Sequence, residues 1–368
     1  MAGKIRTTHV GSLPRPQGFS EADRANLDVL AREVDNIVER QVAIGIDIIN
    51  DGEMSKDSYA TYVSHRLSGF CGKTFDGHTA QDLKEYPKLA QRLVKIGAVV
   101  PKANGKTCNG PVAMQDMTET EVDIAHLRKA CGRHRPYSAF LSAASPGVIA
   151  VFQDNKYYKT EEEYIEAVAE AMRHEYEAIV EAGFLLQLDC PDLAMNRHLG
   201  KAQLSDDEFI EHMGNNIAAL NHACRNIPSE KIRMHICWGN YIGPHHKDIP
   251  LQKIIHEVLK AKPSGLLMEA ANPRHAHEWQ VFTEVDIPED KILIPGVIDT
   301  CHNYVEHPEL IAQRITQFAN IVGPDRVIAG TDCGFATFAD FPTVDPDVAF
   351  AKLKALVDGA ALATKSLY

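Results

Sequence analysis

The feature that most constrains this chain is a rhythm. A short apolar, β-rich run ends in a polar residue and gives way to a helical stretch, and the pattern recurs eight times. The runs fall at 6–11, 47–51, 137–144, 185–189, 232–237, 266–270, 292–297 and 327–330. Helical patterns lie between them, for example at 31–44, 161–182 and 206–227; the second opens with acidic residues and stops at Gly183, the usual start and stop signals. Near-continuously apolar strands alternating with helices imply a parallel sheet buried on both faces. Closing that sheet gives an α/β fold, a single (β/α)8 TIM barrel. An open doubly wound sheet is the alternative, but no Gly-rich phosphate-binding turn follows the first run.

No composition break, repeat or low-complexity tract interrupts the sequence, so residues 1–368 read as one catalytic barrel. The length of 368 residues suits a barrel with an insertion, and 45% hydrophobic residues suffice for its core. The insertion is read as a β-hairpin at 99–114 around the Asn104-Gly105 turn, between the second and third strands.

A net charge of −12 gives no electrostatic reason to bind nucleic acid or an anionic membrane. No continuous apolar run approaches a membrane span, and the first 16 residues carry no apolar signal core. The cysteines at 71, 108, 131, 190, 224, 237, 301 and 333 are scattered rather than arranged as a dense framework. They read as reduced thiols of a cytoplasmic protein, some of them metal ligands.

In such barrels the chemistry sits at the C-terminal ends of the strands. Those ends hold His9, Ser12, Asp51, Glu53, Asp189, Asp192, His235, Cys237, Glu269, Asp299, Asp332 and Cys333. His235-Ile236-Cys237 is the most informative local pattern, because residues i and i+2 of a strand share a face and project an imidazole and a thiol together. A thiolate beside an imidazole suits zinc, and Glu269 and Cys333, at neighbouring strand ends, are the natural completing ligands. Cys237 also reads as a small buried hydrophobe and His235 as a satisfied core histidine. Glu53 also reads as a helix-start residue, Ser12 as a turn cap, and Asp189 as a buried carboxylate paired with an arginine.

The segments Thr7-Thr-His-Val-Gly-Ser-Leu-Pro14, Gly45 to Glu53, Leu186 to Pro191, His235-Ile-Cys237, Met268-Glu269, Pro295 to Asp299 and Thr331-Asp-Cys-Gly334 run nearly end to end. In their content and order the chain resembles the C-terminal catalytic barrel of cobalamin-independent methionine synthase. That superfamily also includes epoxyalkane:coenzyme M transferase. The resemblance implies that His235, Cys237, Glu269 and Cys333 hold zinc and that Ser12, Glu53 and Asp189 hold a thiol amino acid. It implies a zinc-dependent thiol S-methyltransferase of methionine biosynthesis, in which a thiol such as homocysteine becomes a thiolate and attacks a methyl donor. The donor is a methylated folate, a methylated corrinoid protein or a small methylated metabolite. No corrinoid-binding segment is recognisable, so a corrinoid would arrive on a partner.

The alternative chemistry is alkylation of a thiol such as coenzyme M by an epoxide. A sulfonate thiol would want a cation, for which Arg6, Arg15 and Arg274 are available; Glu53 and Asp189 favour an ammonium group instead. Cys190-Pro-Asp192 departs from the Glu-Pro-Ala of methionine synthases, and the 142–147 and 155–158 stretches are more like those of short single-barrel members. The companion N-terminal barrel of full-length synthases is lacking, which leaves self-association open. In the loop after the metal strand, His245 is a candidate acid or base, as is His302 after Asp299; loop histidines are also commonly only solvated.

Overall fold

The structure, a computed structural model, describes residues 3–75, 78–95, 105–339 and 344–368. Among these, ten strands form in chain order: β1 (Arg6–Thr7), β2 (Ile48–Ile49), β3 (Thr74–Phe75), β4 (Gly105–Lys106), β5 (Ser138–Ala144), β6 (Leu185–Asp189), β7 (Ile232–Ile236), β8 (Gly265–Met268), β9 (Ile292–Ile298) and β10 (Ile328–Thr331). Eight of them build one parallel sheet in the order β1-β10-β9-β8-β7-β6-β5-β2. The two strands at the ends of that order are joined by side chains. Asp47 Oδ2 accepts from the Thr7 amide (3.0 Å), and Thr8 Oγ1 donates to the Ile48 carbonyl (3.0 Å). This seam nearly closes the sheet, and helices between successive strands make it the (β/α)8 barrel that the rhythm implied.

β1 and β2 are shorter than the apolar runs at 6–11 and 47–51, for a physical reason. Side chains replace the ladder there: Thr331 Oγ1 accepts from the Val10 amide, and Gln41 Oε1 accepts from the Asn50 amide, each at 3.1 Å. The other six barrel strands match their expected positions to within a few residues.

Contacts divide the chain into two compact units. Residues 1–56, 123–141 and 264–368 form one; its interior includes Val10, Leu267 and Ile294. The helix Leu27–Ile44 of this unit is capped by Asn26 and ends at Gly45, whose φ of +96° only glycine adopts readily. Residues 57–122 and 142–263 form the other unit. Its helices show the expected start signals: Thr160 caps Glu161–Glu181, and Ser205 forms a capping box with Glu208 ahead of Asp206–Ala223.

The first arm of the hairpin expected around Asn104-Gly105 lies outside the described residues. In its second arm, β4 pairs antiparallel with β3. No helix among the described residues is long and apolar enough to cross a membrane.

Candidate metal centre

The ladder between β6 and β7 puts Asp189 directly opposite His235. His235 is buried, and its Nδ1 lies 3.2 Å from Asp189 Oδ1. A carboxylate at Nδ1 makes that nitrogen the protonated one, so Nε2 keeps its lone pair for a metal. Two residues on, Cys237 is also buried, and its Sγ accepts from the Gly239 amide at 3.2 Å. The backbone on both sides is fixed. Cys190 N donates to the His235 carbonyl (2.8 Å), and Met195 N donates to that of Cys237 (3.1 Å). Cys333 follows β10 and is buried, with its carbonyl held by Thr331 Oγ1 at 2.7 Å.

All three of these residues come together: His235, Cys237 and Cys333 each offer one donor atom, and the three donors lie within 4.8 Å of one another. Neither cysteine is in a disulfide. Two thiolates and an imidazole on buried strand ends form a donor set that fits zinc, soft enough for the ion and closed to bulk water.

Glu269, the fourth expected ligand, is outside that group of three. It is buried just past β8, and its Oε2 accepts from Asn272 Nδ2 at 2.8 Å. The segment that carries it is gripped by Asp332. That carboxylate accepts the amides of Ala270 (2.9 Å), Ala271 (2.8 Å) and Asn272 (2.8 Å), and Asn272 Nδ2 as well (3.0 Å). Burial, followed by the charge of Glu269, pushes the Asp332 carboxyl up to about 7, against the pull of those donors. Asp332 stood among the strand-end residues of the sequence, but nothing there revealed its grip on the Glu269 loop.

The structure places Ser12 and Glu53 on two adjoining loops, after β1 and after β2, where the Leu13 amide donates to the Gly52 carbonyl at 3.1 Å. Glu53 is buried with φ +57°, an uncommon backbone for a residue with a side chain. It is held there by its amide on Asp51 Oδ1 (3.0 Å) and by Arg15 Nη2 on its carbonyl (2.8 Å). Its Oε1 lies 2.3 Å from where a Cβ on Gly11 would be, so the carboxylate rests against bare backbone and a side chain there would have to displace it. Gly334 makes the same allowance for Ser12, whose Oγ would stand 2.0 Å from an added Cβ. Arg15 also bonds the carbonyls of Lys56 and Ala336, and Arg6 pairs with Asp47 and stacks on Tyr137. Two of the three arginines open to a sulfonate thus have other work.

His245 is locked. Nδ1 lies 2.9 Å from Asp248 Oδ2, Nε2 lies 3.0 Å from the Tyr241 carbonyl, and its φ is +55°. Asp82, fully buried, holds the same loop by accepting Tyr241 Oη (2.7 Å) and the His245 amide (2.9 Å). His302 is more open. Its side chain is 48% exposed, with Nδ1 3.2 Å from Asp299 Oδ1 and the ring stacked on Tyr304.

A (β/α)8 barrel whose strand ends carry a thiolate–imidazole donor set is the class of protein that fold and site define. Residues 148–361 match the family model described as the catalytic domain of cobalamin-independent synthase, and the chain belongs to that family. A curated relative named methionine synthase, from Saccharolobus solfataricus, is 24% identical over 379 residues, covering 99% of this chain and 96% of its own. A second methionine synthase, from Sulfurisphaera tokodaii, is 22% identical, covering 99% and 94%. Among solved structures, a B12-independent methionine synthase from a Shewanella species, in complex with selenomethionine, has the same fold. Its TM-score is 0.75 at 20% identity, over 99% of both chains.

Proposed function

We propose that this chain is a zinc-dependent thiol S-methyltransferase that moves a methyl group from a donor onto homocysteine. The observation that supports this most is the gathering of His235, Cys237 and Cys333 within 4.8 Å in a member of the cobalamin-independent synthase family. In this reading residues 1–368 work as one catalytic barrel, and Glu269 joins the three grouped residues as the fourth zinc ligand. Bound zinc would lower the pKa of the substrate thiol, making it a thiolate at neutral pH.

The chain's own residues do the rest. Asp189 uses Oδ1 toward His235, and its Oδ2 carries no hydrogen bond among the described residues, so it has an oxygen to offer an ammonium group. Glu53, pressed against Gly11, supplies a second carboxylate to that ammonium, and the Ser12 loop meets the substrate carboxylate. Transfer is a displacement at carbon, in which the new S–CH3 bond forms as the bond to the donor breaks. His302, whose Nε2 has no hydrogen bond among the described residues, is the histidine we assign to the leaving donor. His245, with both ring nitrogens occupied, serves to hold its loop.

Calorimetry on the zinc-loaded protein, run in buffers of different ionisation enthalpy, tests the reading. Binding of homocysteine should release about one proton per chain, and coenzyme M should release none. Proton release with coenzyme M alone would assign the protein to epoxide-type thiol alkylation. Release with neither thiol would overturn the reading.

A further inference from the structure

We infer that Arg233 is a positioning residue for the metal-binding imidazole, acting through a one-way chain of hydrogen bonds to His235. The inference rests on the zinc reading above and adds to it a residue that does not touch the metal.

Arg233 lies on β7 two residues before His235, on the same face of the strand, and is 4% exposed. The ladder with β6 sets Gln187 opposite Arg233 and Asp189 opposite His235. Arg233 Nε donates to Gln187 Oε1 at 2.6 Å. A guanidinium has no acceptor, so the amide must turn its oxygen to Arg233 and its NH2 away from it. That NH2 lies 3.5 Å from Asp189 Oδ1, a long hydrogen bond, and the same oxygen faces His235 Nδ1 at 3.2 Å.

Each link has one possible polarity. Arg233 donates to the amide oxygen, the amide nitrogen donates to Asp189, and the carboxylate then has only acceptor capacity to present to His235. Nδ1 is therefore the protonated nitrogen, and Nε2 carries the lone pair. Removing the cation at the head of the chain takes away the donor that the Gln187 oxygen faces and so favours a flip of the amide. A flipped amide would turn its oxygen to Asp189, and two acceptors would face one another. The orientation of Asp189 and the tautomer of His235 would then lose their constraint.

A buried guanidinium is costly to desolvate, and a methionine would fill much the same space without that cost. A guanidinium keeps its proton at neutral pH and has no acceptor, so the head of the chain can only donate.

The test compares the full-length wild type with Arg233→Met, Gln187→Met, the double variant and Arg233→Lys, using Co2+ as the probe. Affinity comes from competition with a chelator, and the ligand field from visible absorption. Arg233→Met and Gln187→Met should each weaken Co2+ binding by about 10- to 100-fold, the usual effect of losing a partner that orients a metal ligand. Because both break one chain, the double variant should be no weaker than either single one, and Arg233→Lys, still a donor, should restore most of the affinity. A merely structural role would lower the melting temperature of the metal-free protein and leave Co2+ affinity and absorption unchanged. Unchanged Co2+ binding in both single variants, or losses that add in the double variant, would overturn the inference. If Arg233→Met does not fold, Gln187→Met decides alone. A wild type that binds no Co2+ would instead overturn the zinc reading, and the inference would fall with it.

Discussion

Arg233 on β7 and Lys352 on the helix Pro346–Leu367 are both buried cations, 4% and 0% exposed, yet they meet their surroundings differently. Lys352 makes a direct pair. Its Nζ lies 2.7 Å from Glu306 Oε2 and also bonds the Tyr304 carbonyl, while Glu306 Oε1 accepts the Asp299 amide at 2.7 Å. One ion pair thus staples the loop after β9. Arg233 donates to a neutral amide, and the hydrogen bonds run from that amide to Asp189 and on to His235. A direct pair fixes where a loop lies. An amide interposed in the chain fixes which way protons point, and that matters beside a metal ligand more than anywhere else.

The largest effect should come from breaking the direct pair. Lys352→Met leaves Glu306 buried without its cation and should destabilise the protein by about 3–5 kcal/mol in denaturant unfolding, with Co2+ affinity little changed. A Co2+ loss as large as that of Arg233→Met would erase the distinction between the two cations.

Asp192 sharpens the comparison from the opposite side, as a buried carboxyl held by neutral donors. Ser145 Oγ donates to it at 2.7 Å and Asn216 Nδ2 at 2.9 Å, yet burial outweighs both and pushes the carboxyl up to about 6. A carboxyl whose folded pKa lies above its ordinary value of 3.8 binds its proton more tightly when folded. Its contribution to stability is therefore greatest at low pH and falls as pH rises from about 4 through 6. Relative to Asp192→Asn, the wild type should lose about 2–3 kcal/mol over that window. A difference between the two that does not vary with pH would mean that neutral donors suffice to hold the charge.

The gathering of His235, Cys237 and Cys333 was legible in the sequence because strand geometry leaves little freedom. A His-x-Cys at the end of an apolar run can only project to one side, and Cys333 ends the last run of the same rhythm. Glu53 and Ser12 were legible through their motifs, but the bare backbone at Gly11 and Gly334 that receives them was not. The Arg233 relay could not be read because it depends on register. Gln187 and Arg233 are 46 residues apart, and only the ladder sets them side by side. The same holds for the His245 loop, fixed by Asp82 from 163 residues away. The shortness of β1 and β2 was hidden for a different reason, since a threonine hydroxyl that replaces a ladder bond leaves no mark in an apolar pattern.

The central claim is that His235, Cys237 and Cys333 share one zinc ion. The most direct measurement is metal content after purification without chelators, on the wild type and on Cys333→Ser. The account predicts one zinc per chain in the wild type and, in the variant, a site that loses its zinc to a mild chelator while the fold is retained by circular dichroism. A wild type without zinc, or a Cys333→Ser protein that keeps one zinc as firmly as the wild type, would contradict it.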